Sequence, residues 1–250
     1  MKQEWKSILI ALSTFTILPV PSFQWEDEPF RRVPRQLPLV GLVVGLLWGG
    51  VALLLDHSSL HPALQGVVLA FFPWVLTGFL HLDGLMDVAD AMLSWREREE
   101  RLRILKDPCC GPFGVASFGL TALVAFAAGW AAAEKTIPWL VLTAIPVLNR
   151  GMAALGMELL PSLSASGFKA GMAPVTDRLT VLAAALWTGA AVLLLVGAGG
   201  LRGGVTALLQ GGVFWWICSR CRRALGGVNG DVLGCAIVLC ETGGLLVLAV

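Results

Sequence analysis

Charged residues are scarce in this sequence, and their scarcity excludes most soluble folds. Of the 250 residues, 14% are charged and 56% are hydrophobic, and the mean hydropathy is +0.77. A soluble domain carries roughly 25% charged residues. The formal net charge of +1 also gives no sign of the basic surface that nucleic acid requires. We therefore predict an all-α, polytopic transmembrane helix bundle whose partner is the lipid bilayer, with no nucleic-acid partner.

Tyrosine is absent altogether, whereas tryptophan occurs ten times. Tryptophan rings favour the membrane–water interface, and Trp5, Trp95 and Trp139 lie near the ends of apolar runs. The first apolar run is short and lacks a small-residue cleavage site, so we expect no cleavable signal peptide. Residues Met1–Leu18 are instead predicted to form an interfacial helix, because they fall below the length that a membrane span needs.

Longer apolar runs predict six or seven membrane spans, of which the sixth is short and flanked by glycine. The candidate spans are Pro38–Leu55, Pro62–Leu80, Phe113–Ala133, Ile137–Leu160, Leu179–Val196, Val205–Cys218 and Val232–Val250. We expect a single integral membrane domain over residues 1–250. No internal repeat is visible, which disfavours a transporter built from inverted repeats. The oligomeric state stays open, and a homo-oligomer is compatible with the sequence.

Lysine and arginine are unevenly divided between the predicted loops. Fifteen lie in the N-terminal segment and in the loops after the second, fourth and sixth spans, Lys169 among them. The alternate loops hold only Lys135 and Arg202. Because cytoplasmic loops of membrane proteins carry the excess of these residues, the four cation-rich regions are predicted to face the cytoplasm. We expect a multi-pass protein of the cytoplasmic (inner) membrane.

Three aspartates open the polar stretch from His81 to Gly114. Asp83, Asp87 and Asp90 lie within about 60° of one another around a helix. Like charges on one face repel, and a cation between them removes the repulsion. Oxygen ligands suit Mg²⁺, which proteins commonly hold with one or two carboxylates plus substrate phosphates. The pattern predicts a Mg²⁺–diphosphate site with all three aspartates as metal-binding and catalytic residues, and the alternative is a solvated, ion-paired helix end.

The residues around these aspartates fit either interpretation. Gly84 has no side chain and lets a backbone or phosphate approach closely. Lys106 and Asp107 open a segment with two prolines and two glycines before Gly114, which cannot continue a regular helix. The functional interpretation is an ordered loop in which Lys106 neutralises phosphate charge. The alternative is an ordinary helix break before the third span.

Two charged residues fall inside predicted spans. A charge such as Arg150 costs roughly 3 kcal/mol or more in the bilayer centre unless it is paired or faces water. Its candidate partners are Glu158, the aspartates or a bound phosphate, and Glu241 is the second intramembrane charge. Asp231 starts the last span, where it suits a helix N-cap as well as a site residue.

The cysteines give a weaker signal. Cys218 and Cys221 form a C-x-x-C pair, but no second pair or histidine spacing supports a zinc site. Free thiols on a reducing cytoplasmic face are therefore favoured.

Three motifs carry a family resemblance: HLDGLMDVADAMLS, LKDPCCGPFG and GDVLGCAIVLCE. They resemble the adenosylcobinamide-GDP ribazoletransferases, the cobalamin synthases of bacteria and archaea. The resemblance implies an integral membrane transferase that joins adenosylcobinamide-GDP to α-ribazole or its 5′-phosphate. The implied products are adenosylcobalamin or its phosphate and GMP, and the implied cofactor is Mg²⁺.

The resemblance also implies which residues bind substrate. His81 and the aspartates match the acidic motif of the family, Lys106, Asp107, Gly111 and Gly114 match the loop, and Gly230, Asp231 and Glu241 match the C-terminal motif. The expected substrate-binding residues are His81, Gly84, Lys106, Asp107, Arg150, Asp231 and Glu241. The chain departs from the family pattern at Ile17 and Cys109, where a cation is usual, and at Met86 and Asn229.

Other functions share parts of this pattern. A CDP-alcohol phosphotransferase needs a longer D-G-x-x-A-R motif with further aspartates, and a prenyltransferase needs two aspartate-rich motifs. A transporter or a scaffold for corrinoid enzymes is the non-enzymatic alternative. A transporter is expected to carry polar residues through mid-span positions on both sides. Here the ionisable residues gather at the predicted cytoplasmic side, which favours an enzyme.

Overall fold

The fold was analysed in a computed structural model that describes residues 2–22, 27–135, 137–163 and 177–250. Lys169, one of the predicted cytoplasmic cations, lies outside these residues. Within them every regular element is a helix, which confirms the all-α prediction. The helices are α1 (Lys2–Phe15), α2 (Asp27–Arg31), α3 (Val33–Asp56), α4 (Pro62–Leu76), α5 (Leu80–Leu93), α6 (Arg98–Ile104), α7 (Pro112–Ala133), α8 (Trp139–Leu159), α9 (Arg178–Leu225) and α10 (Gly230–Ala249).

Five of the described helices, α3, α7, α8, α9 and α10, are long and apolar enough to cross a membrane. The bent pair α4 and α5 passes the same test when it is counted as one span, so the described helices give five candidate spans, or six with this pair, in agreement with a polytopic bundle. Hydropathy placed most span boundaries within a few residues of the helix ends. The largest shift is at the end of the sixth predicted span, whose helix continues to Leu225 rather than Cys218. Helix α3 also begins earlier, at Val33 rather than Pro38, because prolines at the start of a helix are tolerated.

Helix α9 joins the predicted fifth and sixth spans through a break at Gly200. Gly200 has φ 55° and ψ −133°, a conformation that is essentially restricted to glycine. A Cβ on Gly203 would collide with the carbonyl oxygen of Leu195, so the chain turns back on itself there. Both arms contact α8, since Gly151 faces Thr188 of the first arm and Gly156 faces Phe214 of the second. Counted as two arms, α9 supplies two crossings, and with the bent pair as one span the described helices then make seven, the upper number of the six or seven predicted.

The second predicted span, Pro62–Leu80, is wrong at its end. Helix α4 stops at Leu76, and α5 leaves it at an angle of 88°. Gly78 and Phe79 both have φ 60°, a left-handed conformation that helices do not continue through. Helix α5 therefore starts anew, and it carries the acidic motif away from the direction of α4.

Helix α1 ends at Phe15, three residues before the predicted end, and packs along α3. Glu4 accepts hydrogen bonds from Arg32 at 2.8 Å and from Arg35 at 3.0 Å. Arg35 also pairs with Asp177, the residue before α9, at 2.7 Å. These contacts tie α1, α3 and the start of α9 together at one end of the bundle.

The charged contacts divide between the two ends of the bundle as the lysine and arginine distribution predicts. At the end opposite Arg35, Lys135 donates to the carbonyl oxygen of Val250 at 2.9 Å, and Arg202 donates to the same oxygen at 3.3 Å. Lys135 and Arg202 are the two cations of the predicted outer loops. At the Arg35 end, Arg98 donates to the carbonyl oxygen of Leu225 at 2.9 Å. The structure therefore groups the cation-rich regions on one side of the molecule.

Candidate active site

Helix α5 presents the three predicted aspartates in three different environments. Asp83 is exposed, Asp87 is half-buried, and Asp90 is buried with 7% of its surface exposed. The negative charges of Asp83, Asp90 and Asp231 all act on Asp87. The helical period therefore brings the motif together as predicted, and α10 adds Asp231 to it.

A close contact between α5 and α10 places Asp231 beside the motif. A Cβ on Gly84 would lie 2.7 Å from the carbonyl oxygen of Asp231, so only glycine allows this approach. Gly234 also faces α5, since a Cβ on Gly234 would lie 3.3 Å from the Cα of His81. Gly84 was predicted to let a backbone or a phosphate approach closely, and in the structure the backbone of Asp231 makes this approach. Asn229 holds the start of α10, since its side chain accepts from the N–H of Val232 at 3.1 Å.

Asp90 binds the loop that precedes α7. Its two carboxylate oxygens accept hydrogen bonds from the N–H groups of Gly111 at 2.7 Å and Gly114 at 2.9 Å. These donors belong to the first turn of α7, where free N–H groups and the helix dipole favour an anion. The segment is thus an ordered loop rather than a simple helix break. Because both oxygens of Asp90 already accept hydrogen bonds, Asp83 and Asp87 are the freer carboxylates for a ligand.

The other predicted residues of this loop lie at its surface. Lys106 and Asp107 are exposed, and Asp107 accepts a hydrogen bond from the N–H of Cys109 at 2.9 Å. Partial burial and the Asp90 carboxylate raise the pKa of the Cys110 thiol. Lys106 is therefore available to a ligand that approaches from solvent, and its phosphate contact stays a prediction.

Arg150 forms an ion pair with Glu241 inside the bundle, and not with Glu158 or the aspartates of α5. Arg150 Nη1 lies 2.7 Å from Glu241 Oε1, and the two side chains are 1% and 5% exposed. Glu158 instead accepts a hydrogen bond from the N–H of Asp177 at 3.0 Å. The Nε and Nη2 atoms of Arg150 are buried without a hydrogen-bond partner among the described residues.

A cavity of about 220 Å³ lies between α1, α3, α5, α8 and α10. His81 and Arg150 line it, and so does Asp231 at the end nearer the aspartates. Phe15 of α1 closes one wall, with its ring parallel to that of His81 at a centroid distance of 6.3 Å. The cavity therefore connects the intramembrane ion pair to the acidic motif.

The acidic residues fit a magnesium ion that is shared with a substrate. No described group of three or more His, Cys, Asp or Glu side chains is arranged to hold a metal by itself. Mg²⁺ at phosphate-transfer sites needs only one or two carboxylates, since phosphate oxygens and water complete its shell. Asp83 and Asp87 offer such a pair. All six cysteines are free, and Cys218 and Cys221 are buried.

Sequence reasoning missed two parts of this site. Phe15 was not singled out, because a phenylalanine near the end of an apolar run has the same pattern as a packing residue. The exclusive pairing of Arg150 with Glu241 was also missed, since the two are 91 positions apart. Their shared property, a charge inside an apolar span, was the one available signal.

Comparison with known proteins places the chain in a family. The family model described as cobalamin-5-phosphate synthase matches residues 7–249. A protein of Clostridium perfringens named adenosylcobinamide-GDP ribazoletransferase is 35% identical over 254 residues, which cover 100% of both chains. A protein of Pseudomonas fluorescens with the same name is 38% identical over 249 residues, which cover 95% of this chain and 96% of its own. No solved structure gives a significant match. The chain belongs to the cobalamin-5-phosphate synthase family.

Proposed function

We propose that this protein transfers the adenosylcobinamide phosphate group of adenosylcobinamide-GDP to a hydroxyl of α-ribazole or α-ribazole 5′-phosphate, with release of GMP. Family membership and the name of the relatives support this reaction. The observation that carries it is the grouping of Asp83 and Asp87 with Asp231, which lines a cavity large enough for part of a substrate. A diphosphate at the aspartates and an acceptor in the cavity would be neighbours.

The reaction exchanges one phosphorus–oxygen bond for another. The ribazole hydroxyl oxygen bonds to the phosphorus that carries the cobinamide, the bond from that phosphorus to the bridging oxygen breaks, and GMP leaves with that oxygen. Asp83 and Asp87 would hold Mg²⁺, which offsets the charge of the diphosphate when it is bound. Asp231 lines the cavity and faces the aspartate group, so it is the carboxylate placed to take the proton of the hydroxyl.

The remaining predicted residues support these. Asp90 fixes the loop before α7 through Gly111 and Gly114. That loop presents the exposed cation of Lys106 on the same side of the protein, where it can meet a phosphate of the bound diphosphate. The lysine and arginine distribution supports an active site that opens to the cytoplasm from the inner membrane.

The test measures GMP release by purified protein in lipid, with adenosylcobinamide-GDP and α-ribazole 5′-phosphate. We expect release that needs both substrates, yields a cobalamin and stops when EDTA removes Mg²⁺. Release without the ribazole would indicate hydrolysis instead of transfer. No release by folded, corrinoid-bound protein would contradict the proposed activity.

A further inference from the structure

The unpaired donors of Arg150 are the strongest unexplained feature of the bundle. The guanidinium is 1% exposed in the structure, yet its Nε and Nη2 have no partner among the described residues. A buried donor without an acceptor costs roughly 1–3 kcal/mol, and more for a charged group. Arg150 lines the cavity beside His81, so an acceptor brought by a ligand in this cavity would remove that cost.

The charge balance at this point favours a neutral ligand group. Glu241 already pairs with the guanidinium at 2.7 Å, and both side chains are buried. A phosphate added here would bring a second anion next to the Glu241 carboxylate in a medium that screens charge poorly. A neutral acceptor nitrogen or oxygen satisfies the free N–H groups without that repulsion.

The shape and lining of the cavity favour a planar, apolar group. Leu37, Ala153, Met157 and Ile237 form much of its wall, and Phe15 and His81 present parallel ring faces. Its volume of about 220 Å³ is below the roughly 300–1,000 Å³ of pockets for drug-sized ligands. One bicyclic aromatic ring suits this space, whereas a nucleoside diphosphate or a corrinoid does not.

We propose that this cavity is the subsite for the benzimidazole base of the ribazole substrate, with Arg150 donating a hydrogen bond to the unsubstituted ring nitrogen of that base. The proposal rests on the function proposed above, because that function supplies the ligand. The base packs against Phe15 and His81, and its ribose extends towards Asp231 at the cavity mouth. Arg150 is thus a specificity-determining residue, which selects a base with an acceptor nitrogen.

The first test measures binding alone, without corrinoid or Mg²⁺, by calorimetry on the full chain in detergent. The probes are 1-methylbenzimidazole and 1-methylindole, which differ in the acceptor nitrogen. We expect the wild-type protein to bind the benzimidazole about tenfold more tightly, since one hydrogen bond to a charged donor is at stake. The double variant Arg150→Met, Glu241→Met removes the donors and leaves no unpaired charge, so it is expected to bind both probes equally.

The second test fills the cavity without touching its charges. Ala153→Leu places three more carbons in the wall and is expected to raise the KM for α-ribazole at least tenfold, with the KM for adenosylcobinamide-GDP unchanged. The matched control is Ala185→Leu, which lies exposed on α9 and is expected to leave both KM values as they are.

The two ribazole substrates separate a base contact from a phosphate contact. We expect the Arg150→Met, Glu241→Met variant to lose equal affinity for α-ribazole and for its 5′-phosphate. A loss confined to the phosphate form would overturn the proposal and make Arg150 a phosphate ligand. Equal probe binding by the wild-type protein would overturn it too. Normal discrimination between the probes without GMP release would support the subsite and contradict only the proposed transfer reaction.

Discussion

Asp83 and Asp90 carry the same side chain on the same helix, but their surroundings separate their roles. Asp83 is exposed at the group that includes Asp87 and Asp231, whereas Asp90 is buried and accepts two backbone hydrogen bonds. A carboxylate with free oxygens can bind a metal-bound diphosphate. A carboxylate whose oxygens already accept hydrogen bonds from the backbone stabilises the local structure instead. The two residues are therefore expected to respond differently to substitution.

The substitution Asp83→Asn tests the first role. We expect GMP release to fall by about 100-fold or more, because a metal ligand and its charge are lost while the size of the side chain is kept. The melting temperature is expected to stay within a degree or two, since the residue is exposed. Activity assays and thermal unfolding of the same preparation give both numbers.

The control is Asp56→Asn, an exposed aspartate at the end of α3, on the opposite side of the bundle beside Lys135. It is expected to change neither quantity. Equal activity for the wild type and Asp83→Asn would remove Asp83 from the metal site.

At this scale the sequence singled out residues that the structure brings close together, but it did not predict the contacts that they make. The helical period placed the aspartates on one face, and the cost of a charge in the membrane singled out Arg150 and Glu241. Local rules do not reach further, because the N–H groups that bind Asp90 lie more than twenty positions away along the chain. The packing of the whole bundle decides such partners.

Among the elements, the start of α7 depends on the absence of a side chain at Gly114. A Cβ there would meet a carboxylate oxygen of Asp90 and would lie 3.0 Å from the carbonyl oxygen of Met86. We expect Gly114→Ala to cost about 1–3 kcal/mol, because overpacking must move the loop or the aspartate. GMP release is expected to fall as well, since the loop that carries Lys106 shifts.

The matched control is Gly119→Ala, five residues further along α7. Nothing lies within 4 Å of a Cβ at that position. Alanine there is expected to leave stability unchanged or raise it by up to about 1 kcal/mol, because alanine favours helix. Similar melting temperatures for the two variants would contradict the proposed contact of the loop with Asp90.

The turn inside α9 makes a second prediction at the scale of elements. Gly203→Ala is expected to lower the melting temperature by about 2–10 °C, because its Cβ would collide with the carbonyl oxygen of Leu195. Gly197→Ala is the control, since a Cβ at Gly197 meets nothing within 4 Å. Thermal unfolding of both variants in detergent gives the comparison. If α9 were instead one straight helix, the two substitutions would behave alike.

Hydropathy predicted these elements well and their joints poorly. The length of an apolar run indicates the length of a span, so most predicted span boundaries lay close to the observed helix ends. The left-handed conformations at Gly78 and Phe79 leave no trace in hydropathy, and the sharp bend before α5 was therefore missed. The reversal near Gly200 was predicted, because the fifth and sixth spans were separated there, but hydropathy did not single out that glycine among its neighbours.

For the whole molecule, the orientation in the membrane joins the fold to the function. In the structure, Lys135 and Arg202 make their contacts at one end of the bundle, and Arg35 and Arg98 make theirs at the other. The uneven distribution of lysine and arginine divides the predicted loops into the same two groups. The proposed orientation, with the lysine and arginine excess in the cytoplasm, would put the aspartates of α5 on the side where a nucleotide substrate is available.

The natural cysteines report this orientation directly. Cys109 and Cys110 are exposed in the loop before α7, whereas the other four cysteines are buried. A membrane-impermeant maleimide is therefore expected to label the protein in inverted membrane vesicles and not in right-side-out vesicles. Replacing both residues by serine is expected to abolish the labelling, which shows that the signal comes from this loop.

A reporter at the other end completes the measurement. Ser59 is exposed between α3 and α4, so Ser59→Cys in the serine-substituted protein is expected to label only in right-side-out vesicles. The opposite pattern for both reporters would invert the molecule and put the acidic motif outside the cell, away from GDP-linked substrates. Labelling of both reporters from the same side would contradict the number of crossings between them. The paired result therefore tests the topology and the site of the proposed reaction together.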